Sequence, residues 1–310
     1  MKASIPESVK NELPQSKWGK VLGVTPVVMT VVATMLAGLS SSEMTRAQYD
    51  RSLAAQLQSK AGDQWNFFQG KKLRSALQHN TLDVLTGTGE LPAPERTALT
   101  AALAGTPAAA ALESPGGQAA LAALLDGILP KPGPAPAVDA NVQAAWAALD
   151  ASRPDPELVG LLAAVTDRAL EDALRSARAQ ALAFDALIRP VSEVVDLVEK
   201  QLGRPSTGAE LRHQLTAARL GYNGRRYEAE ARLNQNIASL YELQVRKSNL
   251  SAERHHRRSQ IFFYAMLAAQ MGVIIATLAM AAQKRNLLWS IAASAGAVAL
   301  SFAAYVYLFV

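Results

Sequence analysis

Three apolar runs, at residues 21–39, 261–282 and 287–310, divide an otherwise polar chain into a tail (1–20), a long body and a C-terminal hairpin. Each run is 19 to 24 residues long and contains no charged side chain. At about 1.5 Å per residue, such helices match a hydrocarbon core about 30 Å thick. The pattern predicts three transmembrane helices, the first an uncleaved signal anchor, because 34–39 offers a poor small-residue cleavage site. Pro26 is expected to bend or loosen that helix.

Helical periodicity continues outside the runs. In 40–79, Tyr49, Leu53, Leu57, Ala61, Trp65 and Phe68 advance in steps of three and four, and no proline interrupts them. In 206–259, Ala229, Leu233, Asn236, Leu240, Leu243, Lys247, Leu250 and Arg254 form a heptad seam spoiled by polar positions. Both segments abut apolar runs, so they predict two stalk helices that leave the membrane and pair antiparallel. The aromatic stretch Asp63-Gln64-Trp65-Asn66-Phe67-Phe68-Gln69 is expected to wedge against residues 221–227. Trp65, Phe67 and Phe68 are therefore candidates for stalk packing or partner contact. Gly62 and Gly70 weaken the first stalk helix, while Gly221 and Gly224 mark a bend or the start of the second.

Between the stalk helices lies an insert, 80–205, rich in Ala and Leu. Its first part is punctuated by Pro92, Pro94, Gly105, Pro107, Pro115, Gly116 and Gly117, and a proline-rich linker follows at 130–138. Beyond it, Asp139 and Asp155 are expected to cap helices. Val142, Trp146, Leu149, Leu158, Leu162, Val165, Leu170, Leu174, Phe184 and Ile188 supply the apolar face. Pro190 is expected to end or kink that block before a last helix at 191–202. The fold class predicted is all-α, with three transmembrane helices, an antiparallel coiled-coil-like stalk and a helical cap inserted at its far end.

Charge sharpens this division. Residues 80–205 hold 16 acidic and 9 basic side chains, whereas the remainder holds 22 basic and 10 acidic. An acidic cap thus contrasts with a basic membrane-proximal part. Lys17 and Lys20 set against Arg46 and Arg51, together with Lys284 and Arg285 in the hairpin turn, favour a body outside the cytoplasm. Arg254, Arg257 and Arg258 argue the other way, but long loops are translocated largely regardless of charge. Trp18, Phe262, Phe263, Tyr264, Trp289, Tyr305 and Tyr307 lie near the ends of the runs, where amphipathic rings favour the headgroup level.

Little points to chemistry. The chain has no cysteine, which excludes disulfides, thiolate metal sites and cysteine nucleophiles. His79 and His213 are isolated, and the adjacent His255 and His256 diverge on a helix, so no metal or other cofactor is expected. Asp167, Glu171 and Asp172 interleave with Arg168, Arg175 and Arg178 as solvated ion pairs. Ser114-Pro115-Gly116-Gly117 reads as a turn, not a phosphate loop. The run Arg254, His255, His256, Arg257 and Arg258 suits anionic lipid headgroups, with no aromatic platform for nucleic acid. Ala268, Gly272, Ala276 and Gly296 belong to small-residue stripes that let helices approach closely.

The layout around Asp63-Gln64-Trp65, Gln69 and Lys71 resembles the bacterial membrane-protein family catalogued as domain of unknown function 4337. The resemblance covers 18–79 and 225–310, with Gly70 where the family pattern has alanine and with the long insert as the main departure. It implies a membrane location and a coiled helical middle, and carries no catalytic residues.

These features describe a non-enzymatic membrane scaffold or assembly subunit, self-associating and presenting its cap to a protein partner. A sensor or accessory subunit, or an oligomeric pore, are the alternatives.

Overall fold

The computed structural model describes residues 17–87, 89, 92–134, 136–204, 207–282 and 285–310. The chain is all-α, with no strand among the described residues. Two long helices, α1 (Lys17–Gly87) and α8 (Ala209–Ala281), enclose the insert in sequence, and α9 (Arg285–Phe309) follows. The insert contains α2 (Arg96–Leu103), α3 (Pro107–Glu113), α4 (Pro115–Leu121), a π-helical turn (Ala122–Asp126), α5 (Ala140–Asp150), α6 (Asp155–Ala164) and α7 (Asp167–Leu202). Helices α1, α8 and α9 each hold a stretch long and apolar enough to cross a membrane.

The described residues up to Ala54 and Ser248–Val310 form one compact unit, and Ala55–Lys247 form another. In the first, α1 and α8 run antiparallel, with Ser40 beside Ser259 and Glu43 beside His255. Helix α9 doubles back along α8, so that Tyr307 meets the Phe262 ring at 6.0 Å and Trp289 Nε1 donates to Thr25 Oγ1 at 3.1 Å. Phe262, Ala265, Ala269, Gly272, Ala276 and Ala279 of α8 are all buried, in alternating steps of three and four. Phe262, read as an interfacial ring, is instead a core side chain packed with Leu36 and Val306. Pro26 lies inside α1, which continues on both sides of it.

In the second unit α8 is the central helix. Between positions 220 and 247 only Arg232 is exposed, because α8 is covered from more than one side. Helix α1 covers one flank, where Ser75 Oγ donates to the Gly224 carbonyl at 2.9 Å. Helix α7 covers another and runs antiparallel, from Asp167 beside Lys247 to Glu199 beside Arg219. The insert therefore lies along α8 instead of standing only beyond the stalk. Its core joins Leu99, Leu103, Leu112 and Leu121 to Phe184, Ile188, Val191 and Val198 of α7 and to Leu215 and Tyr222 of α8.

Several local expectations change for physical reasons. The break at Pro190 does not occur: α7 runs through it, held by the apolar stripe from Phe184 to Leu202, while Pro190 abuts Gly116. The 191–202 segment is thus the second half of α7. Asp139 caps α5 as expected, donated to by the Asn141 and Val142 amides. Asp155 does not cap; it is the first helical residue of α6 and accepts from Arg246 Nη1 at 2.7 Å. Ser114 caps α4, so the supposed turn at Pro115, Gly116 and Gly117 is helical.

Candidate functional site

The line along which α1 and α8 meet is built from small side chains. On α1, Ala33, Ser40, Ala47, Ala54, Ala61 and Ser75 are buried and spaced by seven or a multiple of seven. On α8 the buried counterparts within the two units are Ala231 and Ala238, then Ala252 and Ser259. Side chains this short let two helices approach closely, which Leu at the same positions would prevent. The heptad seam expected from Ala229 to Arg254 is a different face of α8. Ala229 and Leu233 pack into the insert's core, and Lys247 donates to the Val165 carbonyl and pairs with Asp167 at 2.8 Å. Tyr49, expected in the α1 seam, is 68% exposed.

Buried polar groups punctuate the small-residue line. Ser40 Oγ donates to the Ser259 carbonyl at 2.9 Å, and Ser259 Oγ donates to the Ser40 carbonyl at 2.8 Å. Each hydroxyl has one hydrogen and spends it on the opposite backbone, so the 3.2 Å separation of the two oxygens is a contact, not a third bond. One turn along, His255 Nδ1 lies 2.5 Å from Glu43 Oε2. Farther toward the C-terminus of α8, the Met29 side chain fills the space left by two glycines. A Cβ on Gly272 would overlap Met29 Cε, and one on Gly296 would lie 3.0 Å from it. Met29 thereby locks α1 against both α8 and α9.

The second unit has a denser polar node. Ser192 Oγ donates to the Ile188 carbonyl, so it accepts from Tyr222 Oη at 2.7 Å and from Arg226 Nη1 at 3.0 Å. Burial pushes the Tyr222 phenol above its ordinary value, which keeps it a neutral donor at neutral pH. The Arg226 guanidinium also lies 4.6 Å from the Tyr227 ring centroid, with Lys71 5.4 Å from the same centroid. Lys71 in turn pairs with Glu230. Lys72 lies 2.7 Å from Glu228, and that hydrogen bond holds the Glu228 carboxyl below the usual carboxylate range. Residues 221–227 therefore face Lys71, Ser75 and His79, not Trp65 and its neighbours. Neither Gly221 nor Gly224 begins α8, which starts at Ala209 and runs unbroken through both. A Cβ on Gly224 would lie 2.7 Å from His79 Nε2, so the missing side chain is what admits His79.

The remaining candidates are dispersed. Trp65 and Phe68 are half-buried and pack edge to face at 5.5 Å, while Phe67 is 57% exposed. Arg254 and Arg257 are exposed; His255, His256 and Arg258 are half-buried. His256 Nδ1 and Arg258 Nε are buried without a hydrogen-bond partner. Gly272 and Ala276 are buried, whereas Ala268 and Gly296 are half-buried. The Trp18 and Arg285 side chains and all of Lys284 lie outside the described residues. A groove of about 500 Å³ lies between the 127–132 segment, Phe184 and Leu233. Its arginines are already engaged, Arg225 with the Ala123 carbonyl and Arg232 with Glu228. Among the described residues no group of three or more His, Asp or Glu side chains is placed to hold a metal ion.

Comparison with known families places one segment. Residues 18–115 match the family described as Domain of unknown function (DUF4337). The chain is similar to DUF4337 proteins across α1 and the first helices of the insert. The match thus extends past position 79, where the sequence pattern set the family-like part apart from the insert, and it does not include 225–310. No curated protein and no solved structure matches the chain.

Proposed function

We propose that this chain is a non-enzymatic scaffold or assembly subunit of a bacterial inner membrane, anchored by α1, α8 and α9 and self-associating. The observation that carries the reading is what the buried polar groups do. Ser40 with Ser259, Glu43 with His255, Ser75 with Gly224 and Arg226 with Ser192 all join one helix to another. Groups so committed position helices; an acid, base or nucleophile poised for a substrate faces a cleft instead.

The insert supplies the partner-facing part of the proposal. Leu182 and Ile128 are 71% and 60% exposed, respectively, on an acidic domain. Arg254 and Arg257, exposed beside the apolar stretch of α8, suit anionic headgroups at about 1 kcal/mol for each cation near the surface. The body is proposed to lie outside the cytoplasm.

The test is the mass of the detergent-extracted protein by light scattering. The proposal expects a multiple of the 32.9 kDa chain. Monomers alone, over a range of detergents and concentrations, would sink the assembly reading.

A further inference from the structure

The face of α1 opposite its seam with α8 carries a second heptad. Within the second unit, Asn66, Gly70, Leu73, Leu77, Asn80 and Val84 advance in alternating steps of four and three, and every one is exposed. Leu73, Leu77 and Val84 are 62%, 54% and 70% exposed. At about 100° per residue these positions centre half a turn away from Ser75, whose hydroxyl bonds to α8. The covered face of α1 here is largely polar, with Lys71, Ser75 and His79 toward α8, whereas the exposed outer face presents Leu73, Leu77 and Val84. The same outer face is polar just before this stretch, at Gln56, Ser59 and Asp63, so its apolar side chains are confined to residues 73–84, about three turns of helix.

We infer that this stripe is the contact by which two copies of the chain pair, parallel and in register, through α1. The inference rests on the proposed membrane anchoring and self-association. Copies inserted with one topology are related by an axis along the membrane normal, so their equivalent helices run in the same sense. In that arrangement Leu73, Leu77 and Val84 each meet their own copy. Asn66 meets Asn66 and Asn80 meets Asn80, where paired amides satisfy one another. A slip of seven residues would set Asn80 against Leu73 and leave Asn66 unmatched. Polar residues at a few seam positions fix register and partner number in this way, at some cost in stability. Gly70, with no atom within 4 Å of a built Cβ, lets the two backbones draw together at one end.

The native chain has no cysteine, so a disulfide between two copies of a single-cysteine variant reports on this contact alone. Cysteine is placed in turn at each position from 70 to 77 in the full chain, and membranes are treated with copper phenanthroline. The expected product has twice the chain mass. Its yield should peak at Gly70→Cys, Leu73→Cys and Leu77→Cys, at least about fivefold above Ser75→Cys and Ala76→Cys. Adding Leu77→Lys to Gly70→Cys, a change at an exposed position, should lower the yield severalfold. A flat profile, a peak at other positions, or a product of different mass overturns the inference. If light scattering shows multimers and the profile is flat, self-association stands and this surface is wrong. If it shows only monomers, both fall.

Discussion

Ser40 and Ser259 exchange hydrogen bonds, each hydroxyl donating to the other's backbone carbonyl at 2.9 and 2.8 Å. The carbonyls belong to helices, so removing one hydroxyl forfeits a bond without stranding a donor. Ser40→Ala should cost about 1 kcal/mol. Ser40→Leu should cost more, about 1 to 3 kcal/mol, because the bulk forces the helices apart. Thermal unfolding in detergent checks the order; equal effects would show that close approach is unimportant here.

Met29 and Gly272 form the second test of close packing. Gly272→Ala brings a Cβ into the space of Met29 Cε and to 3.3 Å from the Ala292 carbonyl oxygen. Gly272→Ala should therefore destabilise. Combined with Met29→Ala, it should cost less than the two single changes added together, a coupling of about 0.5 to 3 kcal/mol. Additive effects in the thermal shifts would contradict the packing.

The Glu228 and Lys72 pair should make stability acid-sensitive. The folded carboxyl titrates below its unfolded value because Lys72 hydrogen-bonds it. Its contribution is present above the unfolded value of about 4.3 and is lost as pH falls through the lower folded one. The stability gap between the native chain and Glu228→Gln should thus be widest near pH 7 and shrink toward pH 3. A gap that widens on acidification would mean the sign is wrong.

Arg226 should matter far more than a surface arginine. It joins Ser192 of α7 to Glu230 and Tyr227 of α8. Arg226→Met should cost about 1.5 to 3 kcal/mol as charged hydrogen bonds are lost. Arg189→Met, which breaks only an exposed pair with Asp185, should cost under about 1 kcal/mol. Comparable losses at the two sites would refute the node.

Much of the fold was legible because long apolar runs and large side chains carry a strong periodic signal. Leu158, Leu162, Leu170, Phe184 and Ile188 are buried as their spacing predicts. What the pattern hid was small: Ala231, Ala238, Ala252 and Ser259 scarcely register as a stripe in an alanine-rich chain, yet all four are buried on α8. The larger residues of α8 gave a true seam but the wrong neighbour, since the insert and α1 compete for the faces of one helix. Met29 was likewise invisible, because its partners Gly272 and Gly296 come from other helices. The node at Ser192, Tyr222 and Arg226 joins residues of α7 and α8 that no local motif connects.

The central claim, a chain held in a membrane by three helices, is tested most directly by impermeant thiol labelling in intact and opened cells. Ser259, buried and bonded to Ser40, is a poor label site, so single cysteines go at the exposed Ser42, Asn249 and Asn286. The account expects Ser42→Cys and Asn249→Cys to react from outside the intact cell, and Asn286→Cys only after opening. All three reacting from the same side would contradict it.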